Sequence, residues 1–161
     1  MRLFITLFLL LGSGLMLLRM VLMISGQLKG PVLQYYERYG DEEIYFFPLP
    51  NLLMWLGLTV ITGGFVLEIW QIVLVPTVPI GVFLFAMAGV GYYAQRWVRQ
   101  SADDLPLLPR WANTLFDNTT RHERRRIAYM WLRLPLRTRL LYNANDRAFF
   151  GWAELVIVAT L

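Results

Sequence analysis

The sequence contains no cysteine, one histidine and one lysine. Without cysteine, the chain supplies no disulfide, thiolate zinc site, iron–sulfur cluster or cysteine nucleophile. The histidine, His122, lies in a polar stretch, so the predicted spans offer no histidine ligand for haem or chlorophyll, and the sequence assigns no cofactor. All other basic residues are arginine, which suits the recognition of lipid phosphates and protein carboxylates, although genomic base composition explains this bias equally well.

Charge is nearly absent from Leu52–Ala94, where Glu68 is the only charged residue. The whole chain is 57% hydrophobic, with a mean hydropathy of +0.49. As one helix, this stretch would be roughly 65 Å long, about twice the hydrocarbon thickness of a bilayer. We therefore predict two spans, 52–75 and 80–98, with a turn at 75–79, where two prolines break the helix. A turn at 68–71 is the alternative.

The first apolar run, 3–24, has Arg19 as its only charge and is long enough for a full span. It is longer than the apolar core of a secretory signal, and no small-residue cleavage site follows it. The loop predicted over 25–51 contains one or two helical turns at 33–39. Its three acids, 41–43, are interpreted as a solvated turn.

The tail, 100–161, is predicted to form amphipathic basic helices after an extended linker at 103–109. Thr120 and Glu123 match a capping box, and the helix they begin is stopped by Pro135. Its apolar stripe has helical spacing, and a second helix is predicted over 136–148. Residues 149–161 are too few to cross a bilayer, so they lie at the interface or against protein, or begin a fourth span if the chain continues.

The fold class is thus an all-α integral membrane protein, with a transmembrane domain (1–99) and a helical tail (100–161). From Arg96 onward the chain carries 11 of its 15 basic residues and 6 of its 11 acidic residues. The positive-inside rule places this tail in the cytoplasm and, with three spans, the N-terminus outside the cell membrane.

Ionisable residues inside spans are candidate functional residues. Arg19 and Glu68 are expected near opposite membrane faces. The favoured interpretation is that each side chain reaches the nearer headgroups. A contact with a partner subunit comes second, and a role in transport is least favoured. The arginine-rich helix at 121–134 is expected to contact anionic lipid or another subunit, and nucleic acid is disfavoured. The predicted lipid and partner contacts are Arg19, Glu68, Arg96, Trp97, Arg99, Arg121, Arg124, Arg125, Arg126, Trp131, Arg133 and Trp152.

The sequence shows no nucleophile beside a base, no metal-binding motif and no phosphate-binding loop, so we expect neither catalysis nor a metal site. The first functional hypothesis is a non-catalytic accessory subunit of a larger membrane complex, in contact with lipid headgroups and neighbouring subunits. The second is a small oligomeric transporter or channel with Glu68 lining the path. A third, without a motif behind it, is a membrane enzyme acting on lipid headgroups through the acids at 41–43 or the arginines.

Overall fold

The computed structural model describes residues 2–39, 48–70, 72, 76–98 and 109–159, with the backbone alone at 39 and 95–98. Within these ranges the chain forms helices and no strand. They are α1 (Arg2–Ile24), α2 (Gly30–Tyr39), α3 (Pro48–Ile69), α4 (Thr77–Val98), α5 (Arg110–Asn118), α6 (Arg121–Arg133), α7 (Leu136–Ala144) and α8 (Asp146–Val158).

The chain divides into two compact units. Met1–Val21 and Phe47–Leu107 form what we call the span unit, and Leu22–Phe46 and Leu108–Leu161 form the tail unit. The last residues of α1 therefore belong to the tail unit, together with residues 25–46 of the segment that we predicted as a loop. This grouping joins two stretches that are far apart in sequence.

Three helices, α1, α3 and α4, are long and apolar enough to cross a membrane. The longest, α1, has 23 residues, which corresponds to about 35 Å of helix. All three expose large apolar side chains, among them Phe8, Phe65 and Phe83. The prediction of an all-helical chain with three candidate spans is confirmed.

Glycines bring α3 and α4 together backbone to backbone. A Cβ added at Gly57 would lie 2.7 Å from the carbonyl oxygen of Gly81, and one at Gly81 equally close to that of Gly57. Nearer the other end of the pair, a Cβ at Gly91 would lie 3.0 Å from Pro50. These contacts define an antiparallel hairpin, in which the small residues permit the close approach.

The bounds of the hairpin helices differ from the predicted spans. α3 begins at Pro48 and ends at Ile69, not at 52 and 75, and α4 begins at Thr77 rather than 80. Of the two prolines that we used as breaks, Pro76 directly precedes α4 and Pro79 lies in its first turn, where backbone N–H groups have no helical acceptor and proline is tolerated. The end of α3 matches the alternative turn; residues 71 and 73–75 lie outside the described ranges.

A polar contact joins α1 to α3 inside the span unit. The hydroxyls of Ser13 and Thr62 are both buried and lie 3.4 Å apart. The Thr62 hydroxyl also donates to the Leu58 carbonyl oxygen at 2.8 Å, so it is satisfied within its own helix. Such serine and threonine pairs are common between helices in apolar surroundings.

The tail unit contains one helix that we predicted closely and two features that we did not. α6 begins after Thr120, with both hydrogen bonds of the capping box, and ends before Leu134. α5 has no counterpart among the predicted helices. The predicted helix 136–148 is two helices, α7 and α8, separated at Asn145, whose side chain accepts from the Ala148 N–H at 3.1 Å. Most of the predicted linker, 103–108, lies outside the described residues.

Candidate functional site

The only lysine of the chain lies at the centre of the tail unit. Lys29 is 0% exposed, and its Nζ lies 2.6 Å from Oδ1 of Asp146. The same ammonium donates to the carbonyl oxygen of Asn143 at 3.1 Å and more weakly to that of Gly26 at 3.5 Å. Asn143 also accepts the Lys29 backbone N–H through its side chain, at 2.9 Å. Lys29 is therefore fixed to the α7–α8 corner through both its backbone and its side chain.

Helix-end electrostatics favour a cation at this corner. Asn143 lies at the C-terminal end of α7, where backbone carbonyls lack helical partners and the helix dipole is negative. Asp146 lies in the first turn of α8, where a carboxylate is favoured by the opposite end of the dipole. The Lys29 ammonium thus hydrogen-bonds the C-terminal end of α7 and pairs with the Asp146 carboxylate, which the N-terminal end of α8 stabilises.

The turn that delivers Lys29 depends on Gly26. Its φ of 82° lies in the left-handed region that glycine adopts readily, and it lies two residues after the end of α1. A Cβ at this position would also lie 3.3 Å from the Trp111 ring. Both conformation and space therefore favour glycine between α1 and Lys29.

Aromatic rings surround the lysine. Its Nζ lies 5.6 Å from the centroid of the Trp111 ring and 5.5 Å from that of Phe149, within the range of cation–π attraction. Phe149 meets Trp111 and Trp131 edge to face, with both centroid distances 5.5 Å. Trp152 lies 5.8 Å from Trp131. Trp131 and Trp152, two of the predicted contact residues, are therefore neighbours in one aromatic cluster.

Two arginines also stabilise helix ends within this unit. Arg124 is buried, lies 4.4 Å from the centroid of the Phe116 ring, and donates to the carbonyl oxygens of Phe116 (2.7 Å) and Thr119 at the end of α5. Arg139 donates to the carbonyl oxygen of Leu134 at 2.8 Å and to that of Leu132, at the end of α6. Both guanidiniums therefore complete backbone hydrogen bonding that a helix terminus leaves open.

The apolar stripe of α6 faces the interior of the tail unit. The predicted stripe comprises Ile127, Met130, Trp131 and Leu134. Ile127 and Trp131 are buried, Leu134 is half-buried and Met130 is exposed. Around the opposite side, Arg121, Arg125 and Arg126 are exposed, and Arg133 lies over the Tyr129 ring at 4.0 Å. Two of the four residues in the stripe that we assigned to lipid or a subunit therefore lie in this unit's own core.

An open groove of about 550 Å³ lies beside α6 and is lined by Glu37, His122, Glu123, Arg125, Arg126, Tyr129 and Ile157. Hydrogen bonds from the Thr120 backbone and hydroxyl lower the pKa of the Glu123 carboxyl below its ordinary value. Its capping contribution is therefore present above that ordinary pKa and lost as the pH falls through the folded-state value. Glu123 is thus a capping carboxylate, ionised at neutral pH.

The remaining predicted contacts lie mostly in the span unit. Arg19 is exposed on α1, and Glu68 is exposed at the penultimate residue of α3. Among the described residues, no salt bridge joins the two. Arg99 and the acids at 41–43 lie outside the described residues, as do the side chains of Arg96 and Trp97.

No sequence pattern predicts the group formed by Lys29, Asn143 and Asp146. A lysine after a glycine turn has the signature of a solvated loop, and its partners lie more than 110 positions away. The one available signal was its uniqueness among arginines. Within the described ranges no group of three or more histidine, cysteine, aspartate or glutamate residues is arranged to hold a metal ion.

Comparisons with known proteins add no relative. No protein-family model matches the chain, and neither the curated proteins nor the solved structures contain a significant match. The chain's own residues are therefore the basis for any functional argument, and what they establish is a helical protein with three helices able to span a membrane.

Proposed function

We propose that this chain is a non-catalytic accessory subunit of a larger membrane complex, in which it anchors to lipid and to neighbouring subunits. The observation that carries the proposal concerns the two buried charged side chains of the described residues. Lys29 and Arg124 both bind backbone carbonyl oxygens of the tail unit itself. Charges that hold helix ends together support a structural role, since a reactive group needs access to a substrate.

The exposed surface supports the same proposal. α1 exposes large apolar side chains along its whole length, including Phe4, Leu11 and Leu18, and only lipid or other apolar helices can cover such a surface favourably. The tail unit presents arginines outward on α6, a distribution suited to headgroup phosphates or to carboxylates of another subunit. The proposed location is the cell membrane, with the tail in the cytoplasm and no nucleic acid among the partners.

Native purification tests the proposal. The tagged full chain is extracted from its own membranes in polymer-bounded discs, and co-purifying proteins are identified and quantified by mass spectrometry. We expect other membrane subunits in a fixed ratio to this chain, surviving a second purification step. Recovery of the chain as a lone monomer in its native lipid overturns the proposal. A tagged unrelated three-span protein from the same membranes controls for non-specific recovery.

A second candidate, a small oligomeric transporter or channel, has one observation in its favour. Glu68 is an exposed carboxylate in a helix otherwise free of charge. If it lines a path, the Glu68→Gln variant in liposomes should alter cation flux relative to the unchanged chain. Equal flux from the unchanged chain and the variant, or no flux from either protein, excludes the transporter and leaves the accessory-subunit proposal unaffected.

A further inference from the structure

α7 presents an apolar face that the tail unit does not cover. It buries none of its residues, and Leu136, Leu140 and Leu141 are 71%, 58% and 59% exposed. With Ala144 and Arg137, these residues are the exposed ones of the helix. Their spacing of one, four, five and eight positions places them on one side of an α-helix, about 140° wide.

The other side of α7 faces its own unit. Tyr142 lies against Trp131 and Trp152, with centroid distances of 6.2 and 5.7 Å. Arg139 is committed to the carbonyl oxygens at the end of α6. Of the two arginines in α7, Arg139 therefore stabilises the unit, and Arg137 stands among the exposed leucines.

The hydrogen bonds of Lys29 hold α7 near the C-terminal end of α1, a candidate span. α1 ends at Ile24, and Lys29 follows five residues later, a segment that reaches at most about 18 Å. Lys29 in turn binds Asn143, at the C-terminal end of α7. If α1 crosses the bilayer, α7 is thereby kept close to the surface at which α1 emerges.

We propose that α7 lies in the membrane interface, with Leu136, Leu140 and Leu141 inserted below the headgroups and Arg137 bound to anionic lipid phosphate. Leucines around a cation fit this surface, because the apolar chains enter the acyl boundary while the guanidinium remains at phosphate level. The inference rests on the membrane insertion assumed in the proposed function and adds the element and residues that meet lipid. It places the apolar insertion on α7 and adds this helix to the lipid contact proposed for the arginines of α6.

Spin labels on introduced cysteines measure the insertion, because the native chain has none. Single variants Leu140→Cys and Leu136→Cys on α7, Asp117→Cys on α5 and Leu11→Cys on α1 are placed in nanodiscs holding one full chain each. The readout is the accessibility of the label to oxygen, which partitions into lipid, relative to a water-soluble nickel chelate. Asp117 is the exposed aqueous control and Leu11 the control for the span.

We expect the oxygen-to-nickel ratio at positions 136 and 140 to exceed that at 117 by about threefold or more, as for a helix buried 5–10 Å into the interface. Equal ratios at 117 and at the α7 positions overturn the inference, as does shielding of α7 from both reagents, which indicates a protein covering. If the label at position 11 has a lipid-like ratio in these cases, the proposed function is unaffected. A water-like ratio at position 11 removes both.

Lipid composition tests the role of Arg137. With the label at position 140, the ratio should rise when phosphatidylglycerol is added to phosphatidylcholine discs, and Arg137→Gln should abolish this rise. Arg110→Gln, which neutralises an exposed arginine at the start of α5, is the matched control and should leave it intact. An equal loss in both variants, or no dependence on anionic lipid, contradicts the assignment to Arg137.

Discussion

At Lys29 the two halves of one ion pair have unequal surroundings. The ammonium is 0% exposed, whereas the Asp146 carboxylate is 58% exposed. If the lysine is lost, water can solvate the carboxylate; if the carboxylate is lost, the ammonium stays enclosed by carbonyls and rings. Breaking such a pair is costly mainly when it leaves an uncompensated buried charge, so the two halves should not be equivalent.

We therefore expect Asp146→Ala to lower the free energy of unfolding more than Lys29→Met does. Asp146→Ala should cost about 3 kcal/mol through the unpaired ammonium, and Lys29→Met about 1–2 kcal/mol through its lost hydrogen bonds. The double variant should be more stable than Asp146→Ala alone. Unfolding in detergent, followed by the near-ultraviolet circular dichroism of the tryptophan cluster, measures the order.

Arg147→Ala is the neighbouring control, because Arg147 is exposed on the same turn of α8. Its cost should stay within about 0.5 kcal/mol, as for an ordinary surface substitution. A larger loss of stability from Lys29→Met than from Asp146→Ala would show that the hydrogen bonds of the lysine outweigh the unpaired charge.

At the scale of elements, α3 and α4 pack backbone to backbone at Gly57 and Gly81. At Gly57 and Gly81 an added side chain would meet the backbone of the facing helix, which cannot rotate away as a side-chain tip can, and at Gly81 it would also meet the Ile61 side chain. Gly89, in the same helix as Gly81, has no other atom within 4 Å of an added Cβ. α4 thus contains both a glycine that the contact requires and one that it does not.

Gly81→Ala should destabilise the hairpin by about 1–3 kcal/mol, because the added methyl forces the helices apart. Gly89→Ala should be neutral or stabilising by up to about 1 kcal/mol, since alanine has the higher helix propensity. Thermal unfolding of the purified protein in one detergent compares the two. Equal changes in the midpoint would indicate that helix propensity, and not the close approach, governs both positions.

Prediction from sequence succeeded where the signal was local. The capping box at Thr120 and the stop at Pro135 gave the bounds of α6 nearly to the residue. The end of α3 was missed because hydropathy reports what surrounds a segment but not where its helix stops. The split at Asn145 and the Lys29 contacts depend on partners distant in sequence or on one side-chain cap, which periodicity does not detect.

For the whole molecule, the asymmetry of charge predicts the orientation in the membrane. Most of the basic residues follow α4 along the chain, and short arginine-rich segments resist translocation. Before the apolar run of α1, the sequence has Arg2 as its one charged side chain.

A membrane-impermeant maleimide should label Leu3→Cys in intact cells, and Asp117→Cys only after the membrane is permeabilised. Each thiol is unique in the cysteine-free background. The cysteine-free chain, treated with the same maleimide, gives the baseline. A denatured sample of each variant shows that both positions can react. The reverse pattern would place the basic tail outside and refute the orientation.

Because Lys29 is enclosed, its chemical reactivity reports the opening of the tail unit. Because no other lysine exists, an N-hydroxysuccinimide ester finds no ε-amine on the surface of the folded protein. Acylation of Lys29 therefore requires that the tail unit first opens and exposes its Nζ. The rate of acylation at Lys29, followed by peptide mass spectrometry so that reaction at the α-amine is counted separately, therefore measures how often the tail unit opens.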